Sequence, residues 1–230
     1  MKLYPVTIVD NFFNDPDPVR QLGLSVDYPL DDPQWPGKRS KHINDIDPRL
    51  YKYISDKILS LFALPNHMIG QHNAPRQEYE FLMAFQKTKA YSPNKWDRKN
   101  KGWVHADTGV LFGGIIYLNP NPDKDTGTSI YRPKKGYFQP LEGEMYAKFG
   151  LYGNEDYFDD DKYAEKYDVF HQHFEETVRV DNVYNRLLLF GSDTFHGVRT
   201  LASKTKEDRL TIPFFCTTVT NCPSPLVRNS

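Results

Sequence analysis

The chain has 230 residues, with 29 Lys and Arg against 30 Asp and Glu, for a formal net charge of −1. That balance leaves no basic footprint for duplex nucleic acid, although a local basic groove stays open. No run of 18 apolar residues offers a membrane span, and the opening Met-Lys-Leu-Tyr-Pro lacks the apolar core of a secretion signal.

At this length one domain with a sizeable core is the default. Aromatic residues make up 14% of the chain, which favours a β-rich sandwich or barrel. Cys216 and Cys222 are the only cysteines. Two make a poor disulfide framework, so reduced thiols in a cytoplasm are expected.

Val6 to Phe13 reads as a short strand ending in a turn. Asp15-Pro16-Asp17-Pro18 supplies helix-cap carboxylates ahead of a short helix through Val26. Asp27 to His42, rich in Pro, Asp and Gly, reads as loop. Asp47-Pro48 caps a clearer helix, in which Leu50, Ile54, Ile58 and Leu61 form an apolar stripe through about Ala63. From Tyr79 the period drops to two: Tyr79, Phe81, Met83 and Phe85 alternate with Glu80, Leu82, Ala84 and Gln86, a strand pattern. Ala90 to Lys101 is a polar loop, and Gly127 to Tyr131 a short strand. Residues 133–174 are an aromatic insertion with an acidic cluster from Glu155 to Asp161, helical around Lys162 to Phe174. Thr177 to Val180, Arg186 to Phe190 and Arg209 to Thr218 complete the strands.

The organising stretch is Trp103 to Asn119. His105 and Asp107 stand two apart just before the apolar run Val110 to Leu118. On an extended backbone residues i and i+2 share a face, so imidazole and carboxylate converge at the mouth of a sheet. A second histidine completes the two-histidine, one-carboxylate set that suits non-haem Fe(II). His196 is the best third ligand, because it follows the apolar run Leu187 to Phe190 and a turn. His171 and His173 have metal-like spacing but lie in the insertion, and read as surface residues. Asp193 reads as a turn residue.

Trp103-Val-His-Ala-Asp107, Ile116-Tyr-Leu-Asn119, Gly127-Thr-Ser-Ile-Tyr131, Asn185 to Phe190, Phe195-His-Gly197 and Arg209-Leu-Thr-Ile212 together resemble the core strands of Fe(II)/2-oxoglutarate-dependent dioxygenases. The prolyl-hydroxylase-like branch is nearest in appearance. The resemblance covers roughly residues 79–217 without the insertion. It implies a mostly β fold with N-terminal helices (α+β) around a double-stranded β-helix, or jelly-roll, core. One domain would then span 1–230, with helical support in 1–78, core in 79–132 and 175–219, and the insertion in 133–174. The insertion is expected to be a lid over the iron, against the alternative of a solvated excursion.

The resemblance further implies Fe(II) held by His105, Asp107 and His196, with 2-oxoglutarate and O2 as co-reactants. It assigns the cosubstrate's distal carboxylate to a basic residue after the last ligand. Arginine offers a planar pair of donors on a strand, which favours Arg209 over Lys204 and Lys206 in the preceding loop. Tyr117 and Thr211 are expected beside it. For Arg209 the competing assignment is a surface ion pair with Glu207 or Asp208, and for Tyr117 a core aromatic. The implied reaction is hydroxylation of a C–H bond in an amino-acid, peptidyl or other small organic substrate, giving succinate and CO2. The alternatives are a nucleobase-modifying oxygenase of the same mechanism and a non-catalytic jelly-roll binding domain. No membrane partner is expected, and oligomeric state is not readable.

Overall fold

The computed structural model describes residues 6–31, 35–61, 78–107, 109–135, 160–205 and 207–220. Two antiparallel sheets dominate it. The larger has seven strands in the order β1 (Val6–Val9), β8 (Leu187–Gly191), β5 (Phe112–Tyr117), β10 (Arg209–Val219), β4 (Tyr79–Thr88), β3 (Lys38–His42) and β2 (Leu30–Asp31). The smaller has β7 (Phe174–Val180), β6 (Thr128–Pro133) and β9 (Phe195–Val198). This mixed α/β arrangement is consistent with the double-stranded β-helix expected from the sequence.

Helices back the outer face of the large sheet. They are α1 (Asp17–Ser25), α2 (Ile43–Ile46) and α3 (Pro48–Ser60), while α4 (Asp160–His171) lies elsewhere. The Asp47 side chain caps α3 by accepting from the backbone N–H groups of Arg49 and Leu50, satisfying two of the donors that a helix start leaves orphaned. Ile54 and Ile58 then pack with Phe81, Phe85, Ile116, Leu187, Leu189 and Phe214 in the main core. The opposite faces of the same strands meet the small sheet, where Tyr117, Leu188 and Phe190 pack with Ile130 and Val180. Strand β8 is buried on both faces, as its unbroken run Leu187-Leu-Leu-Phe190 requires.

Two expectations change. Asp27 to His42 is not all loop: β2 and β3 form the edge of the large sheet, with Arg39 opposite Gln86. The apolar strand begins at Phe112 rather than Val110, because Gly109 turns the chain at φ 82°. Among the described residues no helix is long and apolar enough to cross a membrane.

Asn185 ties the N-terminal segment to the sheet. It sits at φ 62°, its Oδ1 accepts from Phe13 N–H at 2.7 Å, and its Nδ2 donates to Phe13 C=O at 2.8 Å. Its own N–H donates to Tyr117 C=O at 2.9 Å. Asn185→Ala leaves both polar groups of buried Phe13 unpaired and places Ala in the left-handed region, a combined cost of roughly 3 kcal/mol. Urea unfolding should show a lower midpoint at unchanged slope, and an unchanged midpoint would contradict the role given to this side chain.

Candidate metal centre

The two histidines are brought together by backbone. His105 N–H donates to His196 C=O at 3.0 Å, and His196 N–H to His105 C=O at 2.8 Å, so residues 102–105 run antiparallel along β9. Gly102 N–H donates to Val198 C=O at 2.9 Å further along. Three residue steps on one chain therefore match two on the other, which is a one-residue bulge at Trp103-Val104. Bulges bend a strand and re-aim its side chains, and this one sets the direction of His105.

The ring orientations follow. His105 Nδ1 donates to Trp103 C=O at 2.8 Å, and His196 Nδ1 donates to Thr194 C=O at 3.0 Å. A carbonyl can only accept, so both Nδ1 atoms carry a proton, and the neutral form of each ring is the tautomer whose Nε2 lone pair is open to a metal. The two rings lie 4.4 Å apart between centroids, and Phe190 packs 4.1 Å from the His196 ring. Asp107 lies opposite, with Oδ1 3.7 Å from His105 Nε2 and Oδ2 3.6 Å from His196 Nε2. The three ligand atoms fall within 4.8 Å of one another.

Asp107 Oδ2 is buried and has no hydrogen-bond partner. A carboxylate oxygen withdrawn from water without a donor is costly, and a cation shared with two imidazole lone pairs removes that cost. The donor set, two neutral imidazoles and one carboxylate, fits Fe(II). Gly113 keeps the space beneath: a Cβ there would lie 3.2 Å from Asp107 Oδ2 and 3.3 Å from Phe215 Cδ1.

A second buried charge lies on the same inner face of the large sheet. Arg209 is 6% exposed, and its Nε donates to Thr126 C=O at 2.9 Å while Nη2 has no partner. Among the described residues no carboxylate pairs with it, and burial pulls its pKa below the ordinary arginine value. The surface ion pair is thereby excluded, since Glu207 instead bonds Arg20 at 2.6 Å. Asn119 fixes the start of β10, accepting from Leu210 N–H at 2.8 Å and donating to Asp208 C=O at 2.9 Å. Thr126 is held by a 3-10 turn whose Asp123 and Asp125 both bond Lys95 at 2.8 Å. Tyr117, fully buried, lies with its ring centroid 5.5 Å from the guanidinium carbon and its hydroxyl 2.8 Å from Thr128 Oγ1. Thr211 stands cross-strand from Tyr117 and Gln86 and is also buried.

His171 is not the surface residue that the sequence suggested. Tyr167 stacks on its ring at 3.5 Å, its Nδ1 donates to Tyr167 C=O at 2.7 Å, and its Nε2 accepts from Val104 N–H at 3.0 Å. His173 is exposed. The His196 Nδ1 bonds the Thr194 carbonyl. His67, His72, Cys222, Lys206 and the insertion glycines Gly136, Gly143, Gly150 and Gly153 lie outside the described residues. Sequence reasoning passed over Gly113, although a glycine inside a strand pattern signals close approach. It also missed Asn119 as the pin of Arg209, and the Trp103 and Thr194 carbonyls, which carry no side-chain signal.

No curated protein matches the sequence. Residues 2–216 match a family described as "Family of unknown function (DUF6445)". Among solved structures, the fold is similar to HygX from Streptomyces hygroscopicus with nickel and 2-oxoglutarate bound, at 14% identity over 93% of this chain and 82% of that chain, TM-score 0.51. HygX with nickel, 2-oxoglutarate and hygromycin B bound gives the same identity and coverage at TM-score 0.50. A third match is an oxidoreductase of the 2OG-Fe(II) oxygenase family from Burkholderia pseudomallei, at 12% identity over 97% of this chain and 88% of that chain, TM-score 0.49.

The half-buried His171 makes stability depend on pH. Burial lowers its pKa from 6.5 to about 4, with Asp168 opposing the shift and Lys101 adding to it. The unfolded imidazole takes its proton first, so stability is whole above about pH 6.5 and drains as pH falls toward 4. The full loss is on the order of 3 kcal/mol at 1.36 kcal/mol per pH unit. Urea unfolding of metal-free protein, followed from about one unit above pH 6.5 down to about half a unit above pH 4, should show a steeper acid loss in the wild type than in His171→Gln. Parallel profiles would contradict the assignment.

Proposed function

The chain belongs to the DUF6445 family, and we propose that it is a mononuclear non-haem Fe(II), 2-oxoglutarate-dependent dioxygenase with a jelly-roll core. The observation that carries this reading is the pair of buried, unpartnered polar atoms on one inner face: Asp107 Oδ2 beside two imidazole lone pairs, and Arg209 Nη2. One wants a cation and the other an anion. HygX, which shares the fold, has been seen with nickel and 2-oxoglutarate bound, and this supports the reading.

His105 Nε2, Asp107 and His196 Nε2 would hold the iron. Fe(II) bound there supplies the coupled chemistry: O2-dependent decarboxylation of 2-oxoglutarate to succinate and CO2, with hydroxylation of a substrate C–H bond. Arg209 would receive the distal carboxylate of 2-oxoglutarate through a charge-assisted hydrogen bond. The hydroxyls of Tyr117, which meets Thr128 Oγ1 at 2.8 Å, and of Thr211 would orient that carboxylate. Phe215, half-buried next to Gly113 and opposite Leu82, lines the metal side of the mouth, while Leu82 and Leu111 are exposed there. The substrate's reacting carbon approaches across this apolar rim, as part of an amino-acid, peptidyl or other small organic molecule. A non-catalytic jelly-roll domain has no use for an unpaired buried carboxylate and predicts a degraded ligand set, whereas all three ligands stand together here.

His105→Ala, Asp107→Ala and His196→Ala should each abolish O2-dependent formation of succinate from 2-oxoglutarate while leaving the far-ultraviolet circular dichroism unchanged. Activity surviving in Asp107→Ala would remove the carboxylate from the ligand set.

Arg209→Ala should weaken 2-oxoglutarate binding by about 3 kcal/mol, because a charged hydrogen bond is lost and the carboxylate is left buried. Tyr117→Phe should cost roughly 1 kcal/mol. Calorimetric titration in the presence of Mn(II) reads both. Unaltered affinity in Arg209→Ala would move the assignment to Lys204 or Lys206.

A further inference from the structure

Helix α4 grips the segment that leads into His105 at three points. Arg98 makes a two-pronged pair with Asp168, Nε to Oδ1 at 2.9 Å and Nη2 to Oδ2 at 2.6 Å. The Trp103 ring stacks on Phe170 with centroids 4.9 Å apart and planes 14° off parallel. His171 takes the Val104 N–H.

The third contact answers an accounting problem. The bulge at Trp103-Val104 turns backbone groups away from β9, and Val104 is only 1% exposed. A buried N–H that finds no acceptor costs about 1–3 kcal/mol. Its neighbours are served by the sheet, Gly102 by Val198 and His105 by His196. Val104 N–H is served by a side chain, far along the sequence on α4. The same bulge frees the Trp103 carbonyl, which sets the His105 tautomer. Gly197 packs against that carbonyl from below, where a Cβ would come within 3.2 Å of it.

We propose that His171 is a positioning residue for the metal: by accepting the Val104 N–H it holds the bulge that aims His105. The inference rests on the ligand set proposed above. An acceptor is what the role requires, so the ring must be neutral. Burial keeps it so, against the backbone bonds at Tyr167 and Gly102 that favour the charged ring; Tyr167 C=O takes the Nδ1 proton and the Nε2 lone pair faces Val104 N–H. Lost partners behind a ligating histidine typically lower metal affinity 10- to 100-fold. His171→Phe keeps the ring between Tyr167 and Trp103 and removes the acceptor. His171→Gln places an amide oxygen near the position of Nε2 and restores it.

The test is calorimetric titration of chelator-treated protein with Ni(II) alone, paired with amide hydrogen exchange at Val104. His171→Phe should bind Ni(II) at least about 10-fold more weakly than wild type and lose Val104 protection, whereas His171→Gln should stay within about 3-fold and keep it. Equal weakening in both variants would reduce His171 to packing and overturn the proposal. Wild-type affinity in His171→Phe would overturn it as well. Wild-type protein that takes up no Ni(II) would bring down the ligand set itself, and this proposal with it.

Discussion

The site depends on one reciprocal pair of backbone hydrogen bonds, His105 N–H to His196 C=O and His196 N–H to His105 C=O. Two ligands from opposite ends of the core meet because their own peptide groups are paired, not because their side chains attract. The ligand geometry therefore inherits the stiffness of a sheet. That sheet is in turn locked to the larger one by Ile130 and Val180 against Leu188 and Phe190. Asp107 enters the same space two residues later, over the gap that Gly113 leaves in β5. Loosening the pairing at His105 would scatter all three ligands at once.

Around that pairing the protein accepts two expensive features. A carboxylate oxygen and a guanidinium nitrogen are buried without partners, of opposite sign, on one inner face. Each disfavours the folded state unless something binds, and the apolar core between the helices and the large sheet supplies the stability that tolerates them. Neutral ligand tautomers are set beforehand by carbonyls rather than by mobile side chains. Binding then needs little rearrangement of the first ligands, which is the physical content of a preorganised site.

Much of this was legible in the sequence where the signal is local. Asp47-Pro48 ahead of an apolar stripe gave α3, and period-two alternation gave β4. The His105-x-Asp107 spacing and the late His196 pointed to three residues that the fold brings together. The rest depended on tertiary partners. β3, Lys-Arg-Ser-Lys-His, has no apolar alternation, and its pairing with β4 and β2 makes it a strand. His171 sits in a helix with no marked apolar stripe, and its partner is a peptide N–H exposed by a bulge. No residue pattern announces such a bulge, since its cause is a register offset between Gly102-His105 and His196-Val198. The lid role expected of the insertion concerns mostly residues 136–159, outside the described part of the chain. Only α4 bears on it, and α4 is packed against the segment that leads into His105.

The central claim is that one site takes a divalent iron and a 2-oxo acid together. Anaerobic titration of metal-free protein with Fe(II), then with 2-oxoglutarate, tests it most directly. The account predicts a weak visible charge-transfer band that appears only when both are present, saturates at one equivalent of iron, and is absent from Asp107→Ala. Iron uptake with no band at any 2-oxoglutarate concentration would contradict it.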